Sequence, residues 1–235
     1  MNLHAFFAVF VGLTVTAVSA AAPTPPAAVT NDGLVAVKST NLDEVYLRPN
    51  ADLTAYHKVI IDQPRVTFET GWLKNINSTR DPSRWLTPEY QQQLTDDMTA
   101  GLTRVMTDVF TRRGYEVVTT AGPGVLRVHP SVTELFLNAP DLKSTMQTAE
   151  FNRFTGVATL VLEARDAVGG DVLARVIDRS LARELMSGLR VGQLNYATDV
   201  SNLFWMDALF RQWATNCAIA LSGSGQKVGF AVGAR

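Results

Sequence analysis

The sequence predicts an α+β fold in a single domain, a mainly antiparallel sheet with two long helices packed on one face. Three observations predict it: β-rich runs lie on both sides of a long amphipathic segment, Gly169-Gly170 sits between two alternating runs, and a strongly apolar helical stripe closes the chain. Hydrophobic residues make up 46% and charged residues 18% of the 235, which is enough apolar surface for a core and too little charge for a disordered chain. No internal repeat and no long Gly/Pro linker divides residues 32–222, so they read as one domain.

The first element is an address. From Ala5 to Ala22 there is no charged residue, and Phe6, Phe7, Val9, Phe10, Val11, Leu13 and Val15 give way to small residues. This pattern predicts a signal peptide over residues 1–20, cleaved after Ala20 in Val18-Ser19-Ala20, with Ser19-Ala20-Ala21 as the second choice. An uncleaved membrane anchor is the alternative, although the Ala, Gly, Ser and Thr content falls short of what a spanning helix requires. Residues 21–31, with Pro23, Pro25 and Pro26, read as an extended tether, and residues 223–235 as a flexible tail. The protein is therefore expected to be periplasmic or secreted.

Within the body, strands are expected at Val45–Leu47, Lys58–Asp62, Arg65–Phe68, Tyr115–Thr119 and Leu126–Leu137, where Pro130 marks an edge or a bulge because it has no N–H for a ladder. Thr87-Pro88 is an N-cap followed by proline at the first helical position, and Gly114 after Arg112-Arg113 is a stop. Between them Leu94, Met98, Leu102, Val105 and Val109 fall on one face. Phe154–Asp166 and Asp171–Ala182 flank the glycine pair as a hairpin. Leu173, Val176, Ile177, Leu181 and Leu185 also fit a helical period, but the β-branched run Val157–Leu162 and the glycine turn favour a strand. The closing helix is expected over Asp199–Leu221, with Leu203, Met206, Phe210, Trp213 and Cys217 in its stripe, Trp205 and Leu209 widening it, and Ser222-Gly223-Ser224-Gly225 ending it.

Charge and ligand chemistry exclude several functions. There are 21 Lys and Arg against 22 Asp and Glu, and the basic residues alternate with acids, as in Arg175, Asp178, Arg179, Arg183 and Glu184, so the clustered cations of a nucleic-acid binder are missing. A single cysteine, Cys217, allows no intramolecular disulfide and reads as a buried apolar residue. Beyond the leader only His57 and His129 remain as histidines, without metal-ligand spacing, and His129 reads as a half-exposed strand residue. No metal or cofactor is expected. Ser222-Gly223-Ser224-Gly225 follows a helix and lacks the GxSxG frame, and Gly225-Gln226-Lys227 lacks the phosphate-loop pattern. Asp96 and Asp97 diverge by about 100° on a helix, which rules out a shared acid–base pair. Asn77-Ser78-Thr79 is a formal glycosylation sequon.

One constellation invites a binding reading. Tyr46, Tyr56, His57, Trp72 and Trp85 are aromatics with polar tips, the residue types that line a small-molecule groove, although such residues more often cap a core. Two functions stand: a non-catalytic protein that binds an envelope partner, and a periplasmic, hydrolase-like enzyme whose site is assembled from scattered residues such as His57, Asp62, Arg65 and Glu69.

The stretch Asp32-Gly33-Leu34, Val45-Tyr46, Pro49-Asn50-Ala51-Asp52-Leu53, Tyr56, Val59, Val66-Thr67-Phe68 and Trp72 resembles the opening of a bacterial envelope family catalogued as domain of unknown function 3313. Arg165-Asp166 to Gly170, Leu173 to Arg179 with Asp178-Arg179, and Asp207 to Trp213-Ala214 agree with it. The resemblance implies an exported protein, commonly lipidated on a cysteine at the cleavage site. This chain has no cysteine near Ala20, so a lipid anchor does not carry over.

Overall fold

A chain that leaves a strand, crosses by a long helix and rejoins the same sheet returns parallel to where it left, and that rule decides this topology. The computed structural model describes residues 29–137, 156–181 and 199–223. The leader, nearly all of the tether, the tail from Ser224 onward and the side chains of Leu203 and Trp205 lie outside the described residues, as do residues 154–155 and 182–185 of the expected hairpin.

The strands are β1 (Val35–Val37), β2 (Glu44–Leu47), β3 (Lys58–Ile61), β4 (Arg65–Phe68), β5 (Glu116–Val117), β6 (Val125–Phe136), β7 (Val157–Asp166) and β8 (Val172–Leu181). They form one 8-stranded sheet in the order β1-β2-β8-β7-β6-β3-β5, with β4 also on β6. The helices are α1 (Trp72–Asn77), α2 (Pro88–Arg112) and α3 (Asp199–Leu221). The fold is α+β. The expectation of a mainly antiparallel sheet is corrected to a mixed one: β1-β2, β2-β8, β8-β7 and β7-β6 are antiparallel, whereas β3-β6, β4-β6 and β3-β5 are parallel. The cause is α2, which carries the chain from β4 back to the start of β5 and β6. Among the described residues a short helix, α1, accompanies the two long ones; its six residues were too few to announce it.

Pro130 requires a second correction, because it is at neither an edge nor a bulge. β3 accompanies β6 only as far as Val128, and β4 takes over from Ser131. The Val128 carbonyl accepts the Asp62 N–H at 3.0 Å. Two residues on, Pro130 turns its nitrogen the same way, into the gap between β3 and β4, where no hydrogen bond is lost. The register shift of β6 lies further along, between Thr133 and Phe136, with Glu134 at φ 53°.

The core sits on one face of the sheet. Val128, Ala164 and Ala174 form one cross-strand row there, and Pro130, Leu162 and Val176 the next. Leu160, Leu162, Ala164, Val176 and Val128 are fully buried, under α2 and α3. The opposite face carries the polar members of each alternation, among them Arg175, Glu163 and His129 in register. The strand reading of β8 over the helical one is borne out as far as Leu181. Its hairpin turns where Gly170 takes φ 74° and Asp166 accepts the Val168 and Gly169 N–H groups.

The helices are anchored as their sequences dictate. The Thr87 hydroxyl accepts the Tyr90 N–H at 3.3 Å and Pro88 opens α2. Met98, Leu102, Val105 and Val109 are buried. α2 and α3 meet where Gly101 leaves room for the Phe210 ring, and an ion-pair ladder runs from Arg104 through Asp207, Arg211 and Asp108 to Arg112. At the end of α2, Gly114 sits at φ 92° and its N–H bonds to Thr111 O, while Tyr115 N–H reaches back to Phe110 O and the two rings pack 5.3 Å apart. A Cβ at Gly114 meets no atom within 4 Å, so only the backbone opposes a side chain there. Gly114→Ala is expected to cost about 1 to 2 kcal/mol in urea unfolding, the penalty of left-handed backbone; an unchanged midpoint contradicts this.

Candidate functional site

A polar concavity forms where the loop between β1 and β2 meets the end of β8 and one side of α3. It is an open groove of about 530 Å³ whose lining includes Asn41, Asp43, Asp178, Arg179, Gln212 and Asn216. The loop is held from both sides. Asn216 Nδ2 donates to Asn41 O at 2.9 Å, and the Arg179 N–H donates to Asp43 Oδ2 at 2.8 Å.

Asp178 is the centre of this arrangement. It is only 6% exposed, on the helix-facing side of β8, where Ala174 and Val176 precede it and only Ser180, also buried, is polar with it. Its Oδ1 accepts the Asp43 N–H at 3.2 Å; its Oδ2 accepts Trp213 Nε1–H at 2.7 Å and the Ser180 hydroxyl at 3.1 Å. One carboxylate thus joins loop, strand and helix. Burial pushes its pKa above the ordinary carboxylate range, against the pull of the donors from Trp213, Ser180 and Asp43. Cys217, on the next turn of α3 from Trp213, is fully buried, and burial together with the Asp178 charge pushes its thiol far above the usual range, so it is inert packing as expected.

The five aromatic and histidine residues that suggested a groove do not share one. Trp72 is 1% exposed, its Nε1–H bonded to Leu137 O at 2.9 Å and its ring 4.3 Å from Phe68, so it is core. Trp85 is 56% exposed and donates to Arg80 O. Tyr46 lies on the polar sheet face and donates to Glu44. Only Tyr56 and His57 come together, in a separate cavity beside the end of α2. The Tyr56 hydroxyl donates to Asp166 at 2.9 Å, and burial with that carboxylate pushes it up to about 12.

Residues His57, Asp62, Arg65 and Glu69 are strung along the β3–β4 line rather than gathered. Asp62 holds Arg127 at 2.9 Å and His129 Nδ1 at 2.6 Å, and the His129 side chain is 42% exposed, the half-exposed strand position expected of it. Asp96 and Asp97 are exposed on α2, where Asp96 accepts from Gln92. Asn77 of the sequon uses both ends of its amide on the backbone of Leu86, at 2.9 Å each, which ties up the nitrogen a glycan would need. Among the described residues no group of three or more His, Cys, Asp or Glu converges as a metal set, and no helix is long and apolar enough to cross a membrane.

Beneath the groove Asp178 meets Trp213, and with Arg179 these are parts of two features on which the family resemblance rested, 35 residues apart. The model of the family described as protein of unknown function (DUF3313) matches residues 27–208. The chain belongs to that family. The match takes in Asp43 and Asp178 and stops before Gln212, Trp213 and Asn216, so the DUF3313 span supplies one wall of the groove and the end of α3 the other. No curated protein matches the chain. Solved structures are similar at a distance. A dodecameric PelC variant from Paraburkholderia phytofirmans is 9% identical with a TM-score of 0.36, over 73% of this chain and 94% of that one. A Xanthomonas campestris protein of family model DUF330 is 10% identical with a TM-score of 0.35, over 76% and 91%. A neuraminyllactose-binding hemagglutinin homolog from Helicobacter pylori is 12% identical with a TM-score of 0.29, over 74% and 85%.

Sequence reasoning had placed Asp178 in a strand and Trp213 in a helix stripe without joining them. The available signal was parity: Asp178 shares its face with Ala174 and Val176, and a carboxylate on a core face demands donors.

Proposed function

We propose that this DUF3313 member is an exported protein of the cell envelope that acts by binding a partner protein, with no turnover of its own. The observation that carries this reading is the chemistry of the groove. Its one buried carboxylate is committed to three structural donors and its second, Asp43, accepts the Arg179 N–H, while Thr40, Asn41, Gln212 and Asn216 add hydroxyls and amides that hydrogen-bond without titrating and Arg179 a fixed positive charge. Such a wall recognises a polar surface and offers no poised acid or base. Export rests on the uncharged run from Ala5 to Ala22 and its small-residue end.

The test is photo-crosslinking in the native host from Asn41 and from Gln212, with Asp97 on the far helix face as control, and intact-mass measurement of the fractionated protein. One common partner captured from both groove positions and not from Asp97, with a mature start near Ala21, is the expected result. Turnover abolished by a single substitution at His57 or Asp62 with the fold intact overturns binding alone in favour of the enzyme reading. A full-length chain in the membrane pellet overturns cleavage, and a cytoplasmic one overturns export.

A further inference from the structure

A second concavity, on the opposite end of the sheet from the polar groove's loop, has a different chemistry. It measures about 180 Å³, and its lining includes Leu53, Tyr56, His57, Arg113 and Tyr115, with Gly114 between the last two and Thr54 and Ser222 beside them. The α2 stop builds it: the left-handed Gly114 turns the chain so that Tyr115 folds back on Phe110, leaving Arg113 at the rim. Tyr115 is 7% exposed, and its hydroxyl has no hydrogen-bond partner among the described residues. A buried hydroxyl bordering a cavity without a partner is a group awaiting an acceptor. The side chains of Arg113 and His57 likewise have no ion pair or hydrogen bond among the described residues, and both are exposed.

Three of the neighbouring acids are already engaged, and Asp171, whose charge acts on the Tyr56 hydroxyl, stands exposed at the hairpin. Asp166 is held by the Tyr56 hydroxyl and the hairpin amides, Glu116 by Lys58 at 3.2 Å, and Asp52 by the Thr54 N–H and hydroxyl. The cavity therefore combines an apolar and aromatic wall, an unsatisfied hydroxyl donor and a free guanidinium beside an imidazole. We infer that it binds a carboxylate borne on a small apolar body, with the carboxylate on Arg113 and the Tyr115 hydroxyl and the body between Leu53 and Tyr56. Its size fits one ring or one side chain and is below the usual range of about 300 to 1,000 Å³ for larger ligands. Burial, which raises the Tyr115 hydroxyl pKa, keeps it a donor at neutral pH.

Two sources present this chemistry, a free small acid and the terminal residue of a polypeptide, and the experiment separates them. The full chain is titrated by NMR with benzoate, with benzamide, and with N-acetyl-alanylphenylalanine and its C-terminal amide. Saturable binding of at least one acid, with its amide weaker by about tenfold or more, is expected. Benzoate as the better acid identifies a free acid, and the dipeptide as the better one a chain terminus. Arg113→Gln should weaken the acid by about tenfold and Tyr115→Phe by about three- to tenfold. Tyr115→Phe removes a hydroxyl with no partner among the described residues, so its thermal midpoint should equal that of the parent, and Arg113 is exposed, so both variants report binding rather than unfolding. Acid and amide binding alike, no saturable binding, or affinities unchanged in both variants overturns the site.

Discussion

Asp178→Ala is expected to lower the unfolding free energy by about 2 to 5 kcal/mol, because it strands the buried indole N–H of Trp213 and the Asp43 amide at once. Urea unfolding of this variant, of Trp213→Phe and of the double variant measures it as a cycle; additive effects would show that the bond between strand and helix contributes nothing. Asp178→Asn separates charge from shape. Its amide keeps one acceptor oxygen but turns an NH₂ toward a second donor, so it too is destabilising, by less. The folded carboxyl is raised by burial, so it holds its proton to higher pH in the native state than in the unfolded chain. The sign follows: the wild type's contribution from this group is fully present below the unfolded carboxylate pKa and is lost as pH rises through the higher folded one. The gap between wild type and Asp178→Asn should therefore narrow from acid toward neutral pH. A gap that widens would mean that the three donors outweigh burial.

The second large effect is in the helix pair. Phe210 is 2% exposed, packed against Gly101 and 6.2 Å from the Trp213 ring, and Leu102 is fully buried on the facing helix. Phe210→Ala is expected to cost about 3 to 5 kcal/mol and Leu102→Ala about 2 to 5 kcal/mol, since each leaves a void that its neighbours fill only in part. Thermal and urea unfolding check both, and unchanged stability in either refutes the helix-to-sheet packing. Arg104→Ala, in the exposed ladder between the same helices, serves as the contrast, with less than about 1 kcal/mol expected.

What the sequence disclosed and what it hid divide along physical lines. α2 was legible from Thr87 to Gly114 because capping, proline at the first turn, apolar period and a left-handed stop are all local signals. The β7–β8 hairpin was legible for the same reason, through alternation and a glycine turn. Pairing is not local. Whether β3 and β4 run with or against β6 depends on where α2 delivers the chain, and Pro130 was misread because its tolerance comes from the gap between two neighbouring strands, β3 and β4, far earlier in the chain. The aromatic set failed as a groove for a similar reason: Trp72 and Trp85 carry the same side chain, but α1 turns one into the core and the following loop leaves the other on the surface. Asp178 was noted as a family feature and Tyr115 as a strand end; neither pattern states that a side chain will be buried with its polar atoms engaged in one case and unengaged in the other.

The rims of the sheet bear on how the protein behaves in a crowded solution. β5 is two exposed residues long, with Glu116 tied to Lys58, and β1 is three, with Val29 bridging back onto Val35. The long strands β6 and β7, whose apolar alternation would template cross-chain pairing, lie inside the sheet, and β8 is covered by β2 from Ala174 to Ile177. A second molecule docking edge to edge at β5 or β1 thus meets a stub too short to seed a cross-β ladder, and at β4, which pairs only with β6, a strand of four residues. Resistance to aggregation is in this way a matter of strand order, and a change that lengthened β5 or freed Val35 would weaken it while leaving the core untouched.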